Sequence, residues 1–440
     1  PFDRLLEAAS PAGFHNSNDR RDPPKCHPQT RVAVLEKIMS WIHGLDPETR
    51  DTLIMWLYGP AGSGKSAIAQ SIAELCHEEQ ILVASYFFAR ADSTRNHARS
   101  LVATIAYQAL LCFPGIRDNV IASIDHDPLI FSRSLDAQLL ALVIQPLRER
   151  VESGYFDNAA ATRVVVIDGL DECDDREAQL EILTAISRAL QIHQLPLIFL
   201  VSSRPEHDIR TTFGIGYLSD ISTRLPLDDE YLPSEDIRLF LQDKFTEIKD
   251  THAFRAHIPP AWPSDDVLED LVSKSSGQFI YASTVIKFIT SSRHRPHQRL
   301  DIVLGLRSAR LEMPFAELDA LYRYILSSVE DPESVIRVLA LHFLSRVPSV
   351  SLIESVLSLD AGDISEVLCD LTSLVSVEVI GYVEEDQEQT MYVYHASLQD
   401  FLLDRSRSGR FYINGPVFRA ELAHLIFQYL KSKCFFGVLN

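Results

Sequence analysis

The chain has 440 residues, 46% hydrophobic and 23% charged, an ordinary globular balance with room for two to four domains. Its net charge is −20, from 61 acidic and 41 basic residues. That charge repels nucleic acid and anionic membranes unless a local basic face overcomes it, and none is visible. No apolar run reaches the roughly 20 residues needed to span a bilayer.

The first thirty residues are polar and Pro-rich (Pro23, Pro24, Pro28) and read as an extended lead-in. Val32, Leu35, Met39 and Ile42 then form one apolar helical face, with Thr30 as the candidate N-cap. From 51 to 226, strands and helices alternate. Strands are predicted at 53–58, 81–88, 164–168, 197–202 and 220–226. Helices are predicted at 65–77, 99–112, 135–152 and 177–191. The strands are near-continuous apolar runs, as parallel strands covered on both faces require. Alternation of this kind predicts an open, mostly parallel sheet wrapped by helices.

After 226 the pattern turns helical, with segments at 234–248, 267–272 and 280–289. Ser291 to His297 reads as a linker. Helices resume at 299–308, 316–329 and 332–345. Helices near 351–358 and 363–374 then precede two short alternating runs, 375–379 and 391–394. The acidic loop Glu384-Glu385-Asp386 lies between those runs. Helix, helix, hairpin is the outline of a winged helix. A last amphipathic helix is predicted at 416–431.

The chemistry begins at Gly59-Pro60-Ala61-Gly62-Ser63-Gly64-Lys65-Ser66, which fits G-x-x-x-x-G-K-[ST]. Chance would produce such a match on the order of once in a hundred chains this long. Here it also lies between a predicted strand and a predicted helix that opens through Ala67. The glycines let backbone N–H groups turn inward, and the helix N-terminus adds a positive end. Lys65 suits β- and γ-phosphates, and the Ser66 hydroxyl suits Mg²⁺. Val164 to Ile167 is an apolar strand that ends in Asp168, the second magnesium acid. Asp171 and Glu172 follow, placed to polarise the attacking water, with Glu172 the first choice. A further strand ends at Ser202-Ser203-Arg204-Pro205, where Arg204 can neutralise a γ-phosphate. The six cysteines are scattered with no C-x-x-C pair, so zinc and redox readings are weak, and free thiols suit a cytosolic setting.

Together, Gly59 to Ser66, Asp168-Gly169-Leu170-Asp171-Glu172 and Ser202 to Pro205 resemble the NACHT group of STAND signalling ATPases, the NOD-like receptors and their fungal relatives. The segments Cys26 to Arg31, Ser276 to Ala282, Leu318 to Tyr322 and His395 to Leu402 also resemble that group, so the likeness runs from about 23 to 405. It implies an α/β P-loop NTPase core (51–226) after a lead-in (1–50). A helical domain (227–298), a winged-helix domain (299–405) and the start of a further helical region (406–440) would follow. It implies ATP/ADP and Mg²⁺ as ligands, with Arg204 sensing the γ-phosphate. Thr30 and Arg31 would lie near adenine or ribose, and His395 would touch the β-phosphate of ADP in a closed state. The adenine-packing proline common in this group is missing, and Phe279 is the candidate to stack instead.

The function implied is a switch of innate-immunity type. It would be closed with ADP and would self-assemble on exchange to ATP, with slow hydrolysis. The acidic wing argues against DNA. An effector domain before the chain and a sensor after it would complete the protein. The alternatives are a turnover ATPase, such as a remodelling machine or kinase, and a nucleotide-bound scaffold that never hydrolyses.

Overall fold

The computed structural model describes residues 1–440 except 21–22, 91, 158–160, 162, 228–230, 232, 291, 306–314, 346–348, 369–370, 372–373, 381–387, 394 and 437–440. Two compact units emerge, Pro1–Pro233 and Ser234–Asn440.

The first unit is built on five parallel strands: β1 (Ile54–Tyr58), β2 (Leu82–Phe87), β3 (Val164–Asp168), β4 (Ile198–Ser203) and β5 (Ser222–Pro226). Their order is β2-β3-β4-β1-β5. All five match the predicted positions to within two residues. The side-chain period of two divides β1, β3 and β4 between two cores. Met55 and Leu57 of β1, Val164 and Val166 of β3 and Leu200 of β4 share one core with helices α2 (Val32–Ile42) and α3 (Lys65–Glu78). Ile54, Trp56, Val165, Ile167, Phe199 and Val201 share the other with α4 (Leu101–Cys112) and the helix Arg176–His193. Burying side chains of this size contributes about 1.5–3 kcal/mol each.

Register aligns the strand ends. Tyr58 pairs with Ser203, and Ile167 pairs with Val201. The loops after β1, β3 and β4 therefore emerge side by side at the carboxyl edge, where open α/β sheets bind ligands.

Several expectations need correction. The first thirty residues are not an extended lead-in. They hold α1 (Phe2–Ala8) and a short 3₁₀ turn at Pro11–Gly13, and Leu5 is fully buried. Leu5, with Phe2 and Phe14 packed on Tyr107, seats a largely polar segment. Thr30 does not cap α2. Arg31 occupies the N-cap position with φ 57°, and the Thr30 hydroxyl donates to the His27 carbonyl at 2.7 Å. The predicted helix at 135–152 widens to a π turn at Leu140–Ile144, just before Pro146, whose missing N–H cannot serve a regular turn.

Among the described residues, the second unit is helical apart from one antiparallel strand pair. Its helices include Pro233–Thr251, Asp265–Ser275, Phe279–Ile289, Ala316–Ser327 and Pro332–Ser345, close to the predicted spans. The linker ends early, because Pro296 starts the helix Pro296–Gly305, a position where proline is favoured. Helices Val350–Leu357 and Asp363–Val367 precede an antiparallel pair, β6 (Val375–Ile380) and β7 (Glu388–Val393). The acidic loop Glu384-Glu385-Asp386 lies outside the described residues. The helix Gly415–Phe436 follows.

Candidate nucleotide site

The P-loop joins β1 to α3. Gly64 stands at the α3 N-cap with φ 95°, a conformation that opens the helix N-terminus and that L side chains rarely adopt. The Ser63 hydroxyl is buried and has no hydrogen-bond partner among the described residues. Lys65 Nζ donates to the carbonyls of Gly59 at 2.9 Å and Pro60 at 2.8 Å. Desolvation lowers its pKa, opposed by Asp171, Asp168 and Glu172, so the three acids face the ammonium.

Asp168 ends β3, fully within the fold. Its carboxylate accepts hydrogen bonds from the Ser202 hydroxyl on β4 and the Ser66 hydroxyl on α3. Burial raises its pKa, and these two bonds, with Arg20 and Lys65, oppose that. Gly169, at φ 71°, turns the chain so that the next acids fold back beside β4.

The two following acids divide their tasks. Asp171 is 4% exposed. Its Oδ1 accepts the Arg204 N–H at 2.9 Å, and its Oδ2 lies 3.2 Å from Arg204 Nε. Asp171 is thus committed to holding Arg204. Glu172 Oε2 accepts the backbone N–H of Arg90 at 3.1 Å. Burial, and then the charge of Asp171, push the Glu172 pKa up to about 7. That value suits a group that takes and returns a proton near neutral pH.

Sequence reasoning missed two arginines. Arg90 follows β2; besides its N–H to Glu172, its Nη2 donates to the Asp171 carbonyl at 3.2 Å. Arg20 lies in electrostatic reach of Asp168. Neither has a local motif, since the partners are 50 to 150 residues away. Arg31 does reach the P-loop: its Nη2 donates to the Ser63 carbonyl at 2.9 Å. Thr30, 2% exposed, is occupied with His27 instead.

The first unit therefore brings Gly59 to Ala67, Asp168, Asp171, Glu172, Arg204 and Arg31 to one edge. Phe279 and His395 belong to the second unit. Phe279 packs edge-on against Phe240, 6.1 Å between centroids. His395 is the N-cap of the helix Ala396–Leu403, where Nδ1 accepts the Ser397 N–H at 3.0 Å. The Ser397 hydroxyl lies 2.8 Å from the same Nδ1 and 2.7 Å from the Tyr322 hydroxyl. With Nδ1 accepting, the neutral ring carries its proton on Nε2.

The donor set fits a magnesium nucleotide. Among the described residues no group of three or more His, Cys, Asp or Glu could hold a metal alone. One hydroxyl and one carboxylate suit Mg²⁺ only when phosphate oxygens and water complete the octahedron. No helix among the described residues is long and apolar enough to cross a membrane.

Residues 33–204 match the family described as Nephrocystin 3, N-terminal. No curated protein matches the chain at a significant level. Among solved structures, a STAND protein with a tetratricopeptide repeat sensor from Pyrococcus horikoshii is 11% identical, at a TM-score of 0.45. The similarity covers 90% of this chain but 45% of that one, so the chain spans less than half its length. Orc1 of Aeropyrum pernix, solved with DNA, is 16% identical over 91% of this chain and 95% of its own, with a TM-score of 0.36. AMPPCP-bound DnaA of Aquifex aeolicus is 11% identical over 82% and 96%, with a TM-score of 0.31. The P-loop and the Asp168 to Glu172 acids both lie inside the segment that is similar to the Nephrocystin 3, N-terminal family.

Proposed function

We propose that the chain is an ATP/ADP-operated switch that hydrolyses ATP slowly and self-assembles when ATP replaces ADP. The division of labour between Asp171 and Glu172 is the observation that carries the hydrolytic part of this reading. An acid near pKa 7 beside a clamped arginine is equipped for hydrolysis, whereas a pure scaffold needs neither.

The geometry supports the following roles. The P-loop N–H groups and Lys65 bind phosphate. To do so, Lys65 exchanges its bonds to the Gly59 and Pro60 carbonyls for phosphate oxygens. Ser66 and Asp168 hold Mg²⁺, which supplies charge neutralisation when bound. Glu172 orients water and accepts its proton. Arg204, kept in place by Asp171, offsets charge at the γ-phosphate. Arg31 braces the loop through the Ser63 carbonyl, and with Thr30 it is assigned to the adenine or ribose side of the site.

In the second unit, the 227–298 helices and a winged-helix segment within 299–405 serve as the lid, with His395 Nε2–H as the donor to an ADP phosphate. Phe279 is assigned to adenine. Net charge −20 supports a protein partner, including further copies of this chain, over nucleic acid. Effector and sensor segments of a longer protein and a cytoplasmic setting belong to the same proposal.

The test is to identify the nucleotide retained by the purified chain and to measure turnover. Retained ADP with turnover well below about 1 per second supports the switch. Sustained turnover above that rate supports an engine. Retained ADP with no hydrolysis under any condition supports a scaffold.

A further inference from the structure

The first twenty residues lie outside the segment matched to a known family, yet they are pinned across the first unit. Leu5 is buried in the same core as α4. Phe14 stacks on Tyr107, 5.8 Å between centroids and 4° from parallel. The His15 N–H donates to the Ser85 hydroxyl at 2.8 Å, and its carbonyl accepts from Gln70 Nε2 at 2.9 Å. The strap then delivers Arg20. Its Nη1 donates to Gln70 Oε1 at 2.7 Å and to the Phe14 carbonyl at 3.3 Å, and its Cζ lies 3.7 Å from the centre of the Phe87 ring.

The two seats of Arg20 lie on elements that carry the nucleotide site. Gln70 is on α3, the helix that begins with Lys65. Phe87 is the β2 partner of Asp168 in the parallel register. Arg20 therefore bridges the P-loop helix and the strand pair that carries the metal acid. Asp168 and Glu74 attract the guanidinium, and Arg95 repels it. Burial lowers its pKa to about 9, which leaves it a cation at neutral pH. A guanidinium over an aromatic face, with one planar partner, is held in a single orientation.

We propose that residues 10–20 form a nucleotide-linked clasp in which Arg20 is a positioning residue, locking the P-loop helix to the Asp168 strand so that clasp docking and Mg²⁺·ADP binding reinforce each other. The inference rests on the nucleotide-binding reading above. Linkage makes it reciprocal: the factor by which the docked clasp raises ADP affinity is the factor by which ADP stabilises the docked clasp. It also gives any motion of the N-terminal strap a direct route to nucleotide release.

The experiment uses the full 440-residue chain. Backbone hydrogen exchange over residues 10–20 is followed with and without Mg²⁺·ADP, and ADP affinity is titrated for the unmodified chain, Arg20→Gln and Arg20→Lys. Expected are at least about fivefold slower exchange with ADP, a comparable affinity loss in Arg20→Gln, and partial rescue in Arg20→Lys. Unchanged exchange on ADP binding, or a folded Arg20→Gln with unmodified affinity, overturns the clasp. If Arg20→Gln does not fold, the exchange comparison on the unmodified chain decides alone. Failure of the unmodified chain to bind ADP would instead remove the nucleotide-binding reading itself.

Discussion

Glu172 and Asp171 are neighbours in sequence with the same charge, and their surroundings set them apart. Asp171 is fixed to Arg204, while Glu172 titrates near 7. Glu172→Gln is expected to slow ATP hydrolysis by about 10²- to 10⁴-fold with ADP affinity retained, measured by single-turnover kinetics beside a binding titration. The sign of the pH dependence follows. The free protein needs Glu172 ionised, so kcat/KM should fall as the pH drops through about 7; a flat profile between pH 6 and 8 would remove Glu172 as the base. Lys65→Ala should lose about 1.5–3 kcal/mol of nucleotide binding, tenfold or more in affinity, and an unchanged calorimetric titration would sink the P-loop assignment. At this scale the sequence was readable wherever a motif is contiguous. Gly59 to Ser66 and Asp168 to Glu172 were legible because spacing alone encodes their turns. Arg20 and Arg90 were not, because only the fold brings them to α3 and β3.

Elements were legible in proportion to their apolar content. The five strands are buried on both faces and announce themselves as continuous runs. The helices Arg117–His126, His207–Thr212 and Gly216–Ile221 are short, with few buried positions, and gave no usable period. The N-terminal strap was hidden by its polar composition. Its anchoring has a pH signature. Burial, then His77 and Arg20, against Glu74, hold the His15 pKa at about 4, with the His77 ring 5.0 Å away. The folded value is depressed, so the contribution of His15 is fully present above 6.5 and is lost as the pH falls towards 4. Exchange over residues 10–20, corrected for intrinsic rates, should therefore quicken between pH 7 and 5 more than in β3; equal changes would contradict this. In the second unit, Arg407 grips Asp319 with Nη2 at 2.8 Å and Nε at 3.2 Å, the side chains 13% and 7% exposed. Asp319→Ala would strand a buried cation, and should cost about 3–5 kcal/mol in denaturant unfolding of that unit.

For the whole molecule, the energetics limit what any single contact can do. Shifting a closed state from 99:1 to 1:99 takes about 5.5 kcal/mol of differential binding. One charge-assisted hydrogen bond, such as His395 to a phosphate, contributes about 1.5–3 kcal/mol. The switch therefore needs several contacts that distinguish ADP from ATP, with Arg204 and Lys65 as candidate contributors on the first unit. His395→Ala should loosen ADP tenfold or more without opening the molecule completely, and unchanged ADP release would take His395 out of the site. The central claim is that nucleotide identity sets assembly. Its most direct test is the molar mass of the purified chain by light scattering, with saturating ADP and then with a non-hydrolysable ATP analogue. The switch predicts a small, uniform species with ADP and larger assemblies with the analogue. The same mass with both nucleotides, at saturation verified by binding, would contradict it.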